Sequence, residues 1–309
     1  MLNNGNTFSN KYTTADGSNR AYVSFTFLKT LWFNTGTLCN LTCKGCYIES
    51  NPINDKLLYL NFKDVEHYIN EIQINNWPCK TIGFTGGEPF MNKDIIEILE
   101  LCLEKKFKVL VLTNAMQPMQ NKINNLKRLS KFKKLNFRIS LDHYSKYEHE
   151  KIRGEKTWDR TFIGIKWLIN NNFKFNIASR MLNEDEQVIR DGFTKLFKQH
   201  NLTLNAYDPQ DLVLFPEMNS KFKTPEITTK CWSILGIEAK NMMCSDSRMI
   251  VKRKEDQQTH VVACTLIPYE NNFSYGSKLK DSFKKVYLNH PHCSKFCVLG
   301  GASCSNNYN

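Results

Sequence analysis

The chain lacks the features that mark membrane and secreted proteins. No run of about 18 consecutive apolar residues occurs, which excludes a helical membrane span at the level of sequence. The N-terminal stretch MLNNGNTFSN has neither a basic start nor an apolar core, so a secretory signal is not expected. Also absent are a solenoid-type repeat, a low-complexity tract, and the aromatic-interleaved motif of an RNA-binding module. These absences together point to a cytoplasmic globular protein.

What is present fits that expectation. A chain of 309 residues with 41% apolar, 12% aromatic and 23% charged residues has material for a sizeable core, in one large domain or one large and one small. Its eleven cysteines, in a compartment that keeps thiols reduced, indicate metal binding or catalysis more than disulfides. Lys and Arg number 42 against 30 Asp and Glu, a net charge of +12 that raises an anionic partner such as nucleic acid or an acidic leader peptide. The densest basic stretch, Lys122, Lys127, Arg128, Lys131, Lys133, Lys134 and Arg138, reads as a solvated helix face, and nucleic acid is not the favoured partner.

Residues 1–20 are polar and aperiodic and read as a loosely ordered tail. From Leu31 onward short apolar runs alternate with longer amphipathic ones, the pattern of βα units. Strands are expected at 31–33, 81–85, 109–113, 137–141, 175–179 and 212–215. Asn61 can cap a helix with Val65, Ile69 and Ile72 on one face. Further helices are expected at 94–105, 121–129, 157–170 and 184–199. Six strands with intervening helices define an α/β protein, a partial (β/α)6 TIM-like barrel over residues 21–218, with its chemistry at the loops that follow the strands. Beyond Pro216 the repeat stops. Residues 219–309 read as a small, Cys-rich, metal-stabilised domain with β-prone pieces at 249–251 and 260–263.

The sharpest signal is Cys39-Asn-Leu-Thr-Cys43-Lys-Gly-Cys46, just after the first expected strand. A structural iron–sulfur or zinc site uses four protein ligands, so three from one loop leave a coordination position open. A zinc site completed from elsewhere in the chain, and unligated thiols, stand as alternatives. Thr85-Gly86-Gly87-Glu88-Pro89 follows the second expected strand; its glycines allow close backbone approach and its carboxylate suits an amine.

The CxxxCxxC loop and the Gly-Gly-Glu turn together resemble the radical S-adenosylmethionine (SAM) superfamily. The resemblance implies that Cys39, Cys43 and Cys46 hold a 4Fe-4S cluster and that Gly86, Gly87 and Glu88 meet the amino group of SAM. It also places Asn114 near the adenosine. Ser140-Leu-Asp142 with Arg153-Gly154 resembles the stretch in which Ser and Arg contact the ribose and carboxylate of SAM. Arg180 and Glu217, after the fifth and sixth strands, become substrate-contact candidates.

The tail is similar to the twitch or SPASM domains of that superfamily, which carry auxiliary 4Fe-4S clusters. On this resemblance the auxiliary ligands are Cys244, Cys264, Cys293 and Cys297, with Cys304 able to replace either of the last two; four-cysteine zinc remains an alternative. His290 and His292 are further ligand candidates or loop residues. Cys102, on an amphipathic helix, reads as a buried inert thiol, and Cys79 is isolated. The implied activity is reductive cleavage of SAM to a 5'-deoxyadenosyl radical, which abstracts a hydrogen atom from a peptide or small molecule. An oxidative outcome would be assisted by the auxiliary cluster, and a one-electron reductant such as flavodoxin or ferredoxin is required. An RNA-modifying enzyme of the same superfamily and a non-catalytic zinc or iron–sulfur protein are the alternatives.

Overall fold

Apolar runs such as Thr30–Asn34 and Thr81–Thr85 are buried along their whole length, as in strands covered on both faces. A computed structural model describes residues 7–182, 184–216 and 224–301. A short β1 (Tyr22–Val23) is followed by β2 (Thr30–Asn34), α1 (Phe62–Ile74), β3 (Thr81–Thr85), α2 (Ile95–Glu104) and β4 (Lys108–Thr113). Next come α3 (Gln117–Gln120), α4 (Ile123–Lys127), β5 (Leu135–Ser140), α5 (Lys146–Arg153), α6 (Thr157–Asn170) and β6 (Lys174–Met181). The chain continues through α7 (Glu186–Gln199), β7 (Leu212–Pro216), α8 (Cys231–Leu235), β8 (Ser247–Lys252), β9 (Thr259–Val262) and β10 (Val286–Tyr287).

Strands β2 to β7 lie parallel in sequence order, each hydrogen-bonded to the next, within an eight-stranded sheet that ends in β8 and β9 beyond β2. The register pairs Asn34 with Thr85, Thr113 with Ile139, and Ser140 with Ala178, so the ends of β2 to β6 form one rim. Helices cover the outer face: Val65, Tyr68, Ile69 and Ile72 of α1 join Ile95, Ile98 and Leu99 of α2 in the main core. The α1 start has a reciprocal cap, with the Asn61 side chain accepting from Asp64 N and the Asp64 carboxylate accepting from Asn61 N.

The structure departs from the sequence reading in four places. The hairpin β8–β9 is no detached appendage, because β8 pairs in parallel with β2, Leu31 opposite Arg248 and Phe33 opposite Ile250. A partial barrel leaves β2 with an unpaired edge, and the apolar Met249, Ile250 and Val251 cover it. Residues 7–20 are tied down rather than loose: the buried Arg20 donates to the carbonyls of Asn10, Thr13 and Leu288 and pairs with Glu226. The expected helix 121–129 is shortened to α4, which follows α3 and gives way to a 3-10 turn at Arg128–Lys131. Finally, Arg138 leaves the solvated face on which its basic neighbours lie; it is 2% exposed within β5.

Candidate active site

The loop carrying Cys39, Cys43 and Cys46 leaves the end of β2 and crosses the rim. Its thiols line a cavity of about 140 Å3 together with Gly86, Gly87, Asn114, Ser140, Arg153 and Arg180. Every cluster and SAM candidate of the barrel except Glu88 therefore borders one space. Backbone Leu41 N donates to Cys39 Sγ at 3.4 Å. Burial, followed by the Glu88 charge, pushes the Cys39 thiol up to about 12; burial also raises Cys43, against the pull of Arg153.

The turn after β3 fits against this loop without slack. Gly86 has φ +136°, and a Cβ on Gly87 would lie 2.1 Å from the Leu38 carbonyl oxygen. The Glu88 carboxylate has a different occupation from the one the sequence suggested. It is 1% exposed and accepts from Thr113 Oγ1 at 2.7 Å, Asn114 N at 2.9 Å and Phe90 N at 3.1 Å. Burial raises its pKa despite these three donors. It joins β3 to β4 and holds the Gly-Gly backbone at the cavity wall. Asn114 is similarly engaged, donating to Asn40 Oδ1 and accepting from Met116 N.

Asp142 organises the next strand end. Its carboxylate accepts a fork from Arg153, Nε to Oδ2 at 2.8 Å and Nη2 to Oδ1 at 3.1 Å, and lies 3.5 Å from Arg180 Nε. Burial pushes the Asp142 carboxyl up, but Arg153 and Arg180 together hold it below the usual range. Arg180 in turn donates to Lys44 O at 2.8 Å, so it clamps the cysteine loop. Periodicity gave little sign of α5, which carries Arg153: its buried residues are only His149 and Ile152.

A second cavity, about 170 Å3, continues into the barrel and borders Tyr47, Thr85, Leu112, Ser140, Arg153 and Arg180 in common with the first. Its walls include Trp32, Phe215, Met243 and Leu266, together with Arg138 and Ser179. Arg138 Nε donates to Asn176 Oδ1 at 3.2 Å. The Ser179 hydroxyl is buried without a hydrogen-bond partner among the described residues. Sequence reasoning missed Arg138 here; its place on the same face of β5 as Ser140 was the signal, whereas Ser179 pairs with Leu214 on the helix-covered face of the sheet.

A third, small cavity is lined by Cys244, Cys264, Cys293 and Cys297, the four tail cysteines singled out from the sequence, and by His292. Cys244 and Cys264 flank the β8–β9 hairpin, and a π-helical turn at Cys293–Val298 carries the other two. Burial raises the Cys244 thiol to about 12 and Cys264 to about 11. His292 Nδ1 lies 3.0 Å from Leu266 O, and His290 packs against His292. Met243 and Leu266 line both this cavity and the barrel interior. Cys231 is bonded to Thr228, Cys102 is buried on α2, and Cys79 is pushed up to about 12 by burial. Glu217 and Cys304 lie outside the described residues.

A parallel partial barrel with three thiols, a Gly-Gly turn and a buried Asp–Arg pair at one rim defines a class: an enzyme that binds an iron–sulfur cluster and SAM. The Radical SAM superfamily model matches residues 33–190, and the chain belongs to that superfamily. It is similar to the antilisterial bacteriocin subtilosin biosynthesis protein AlbA of Bacillus subtilis, 29% identical over 188 residues, 60% of this chain and 40% of AlbA. Streptococcus suis SuiB bound to precursor peptide SuiA aligns with TM-score 0.61 and 16% identity over 83% of this chain and 64% of that one. The anSMEcpe structure with bound AdoMet aligns with TM-score 0.61 and 14% identity over 83% and 77% of the two chains. The chain thus spans less than half of AlbA and under two thirds of SuiB, and at these identities the structural likeness establishes the fold.

The protein is a radical SAM enzyme and uses a 4Fe-4S cluster and SAM. The donor set suits them, since three thiols, the Gly-Gly backbone and an arginine border one cavity. No helix among the described residues is long and apolar enough to cross a membrane.

Proposed function

We propose that the enzyme oxidatively modifies a peptide, whose reacting residue presents an apolar side chain to the barrel interior. The observation that carries this reading is the position of that interior. It adjoins the Cys39–Cys43–Cys46 loop on one side and, across Met243 and Leu266, the four-cysteine cavity on the other. Cys39, Cys43 and Cys46 would hold the catalytic cluster, with the Gly86–Gly87 backbone, Ser140 and Arg153 around SAM. Bound there, cluster and SAM supply reductive carbon–sulfur cleavage and hydrogen-atom abstraction. Cys244, Cys264, Cys293 and Cys297 would hold an auxiliary cluster; with four thiolate ligands its role is electron transfer rather than substrate binding.

The chain's own residues supply the rest. Trp32, Phe215, Met243 and Leu266 exclude water from the reacting carbon. Arg180 and Asp142 hold the cysteine loop and Arg153 in one frame. SuiB binds a precursor peptide in its solved complex, which supports a peptide over a free metabolite. The exposed Lys127, Arg128, Lys131, Lys133 and Lys134 lie on α4 and the segment leading to β5, away from the rim.

The test is deuterium transfer. Reconstituted enzyme, SAM and dithionite are incubated with candidate peptides deuterated at apolar side chains. Deuterium in 5'-deoxyadenosine and a peptide product lighter by two hydrogens are expected. Transfer from none of the peptides but from a small metabolite would overturn the peptide reading.

A further inference from the structure

Beside the four-cysteine cavity lies a buried cation with no carboxylate in ion-pair contact among the described residues; the nearest acidic influence is the weak one of Asp246. Arg248 of β8 is 0% exposed. Its guanidinium donates from Nε to Ser282 O at 2.9 Å, from Nη1 to Cys244 O at 2.7 Å and Ser247 O at 2.6 Å, and from Nη2 to Lys284 O at 3.2 Å. All four acceptors are neutral carbonyls. The Phe25 ring lies 4.3 Å away. None of the ion pairs among the described residues includes Arg248.

An arginine does not deprotonate inside a protein, and a buried charge without a counter-charge is strongly unfavourable. Contrast the buried Arg20 and the largely enclosed Arg153, each of which has a carboxylate. Burial pulls the Arg248 pKa down, and the groups that push it back up are Cys244, Tyr275 and Cys264, with the Asp246 carboxylate last among them. Two of these are thiols of the cavity. Protonated thiols carry no charge, whereas four thiolates around a cluster carry a net negative one.

We propose that Arg248 is the built-in counter-charge of the auxiliary cluster and raises its reduction potential. This rests on the reading that the cavity of Cys244, Cys264, Cys293 and Cys297 holds a cluster. A fixed positive charge favours the reduced, more negative state of a cluster, and the dry surroundings leave that field little screened. Arg248 is a positioning residue: it acts on the cluster and touches no substrate. Its bond to the Cys244 carbonyl also orients the turn that presents the Cys244 thiol.

The experiment is an EPR-monitored redox titration of the holoenzyme, wild type against Arg248→Gln and Arg248→Lys, with iron and sulfide analysis. The auxiliary signal is the one unchanged by added SAM. With Arg248→Gln, the ratio of reduced to oxidised auxiliary cluster at fixed poise is expected to fall about tenfold, a shift of about 59 mV for one electron. Arg248→Lys, which keeps the charge and loses the fork, should restore the wild-type ratio. An unchanged ratio in the Gln variant, or equal shifts in both variants, would overturn the proposal. If the Gln variant loads no auxiliary iron while the Lys variant does, the charge requirement stands; if neither loads it, the fork and not the charge holds the site, and the proposal falls. Wild-type protein with iron for one cluster alone would sink the auxiliary reading as well, whereas two clusters with an unmoved potential would sink only the role of Arg248.

Discussion

At the scale of single residues, the rim uses charge where it is enclosed and shared. Asp142 serves two arginines, Arg153 at the cavity wall and Arg180 on the cysteine loop, so a single carboxylate couples both groups. His149 shows the reverse treatment. It is buried on α5 with its ring edge-on to Trp158, and neither ring nitrogen has a partner among the described residues. Burial, and after it the Arg153 charge, lowers its pKa to about 3. Since an unfolded histidine titrates near about 6.5, below that pH the unfolded chain takes up a proton that the folded chain refuses. Stability contributed by neutral His149 is therefore full above the unfolded pKa and declines as pH falls toward 3. His149→Phe keeps a ring against Trp158 and removes the titration. Urea unfolding at pH 7.5 and pH 5 should show a smaller loss of stability on acidification in the variant, by up to about 1.4 kcal/mol per pH unit. Equal losses would show that His149 takes up its proton in the fold.

At the scale of elements, the site depends on backbone fit between the β3 turn and the cysteine loop. Gly87→Ala puts a methyl against the Leu38 carbonyl, one residue before Cys39, and backbone cannot swing aside as a side chain can. Displacements of about 1 Å around a reacting centre cost on the order of 100-fold in rate. SAM cleavage by the variant is expected to fall by about that factor while its iron content is retained; a wild-type rate of 5'-deoxyadenosine formation would refute the close fit. Legibility also varied by element. The α6 bounds, Thr157–Asn170, were readable because apolar residues recur through its length. Helix α5 was not, because charge dominates its sequence and its burial comes from neighbours across the rim. The strand-prone pieces of β8 and β9 were visible, but their attachment to β2 was not, since pairing with a distant edge leaves no local pattern. Arg138 was misread for a related reason: a charge inside a basic run looks solvated, and only strand register turns it inward.

At the scale of the molecule, the outer face and the rim divide the charge between them. The net charge of +12 is spread over solvated lysines, while the enclosed arginines surround the cavities. The trio Cys39, Cys43 and Cys46 was legible because its spacing is local, whereas the group of four was legible only through the family resemblance, and Glu88 and Arg180, which secure the first loop, come from other elements. The central claim is that the first group leaves one iron open to SAM. Electron–nuclear double resonance of the reduced enzyme with SAM labelled by 15N at its amino group tests it most directly. The account predicts a nitrogen coupling strong enough for a direct bond to the cluster, lost when Cys39, Cys43 or Cys46 is replaced by Ala. No such coupling at saturating SAM, with the fourth iron held by a protein side chain, would contradict it.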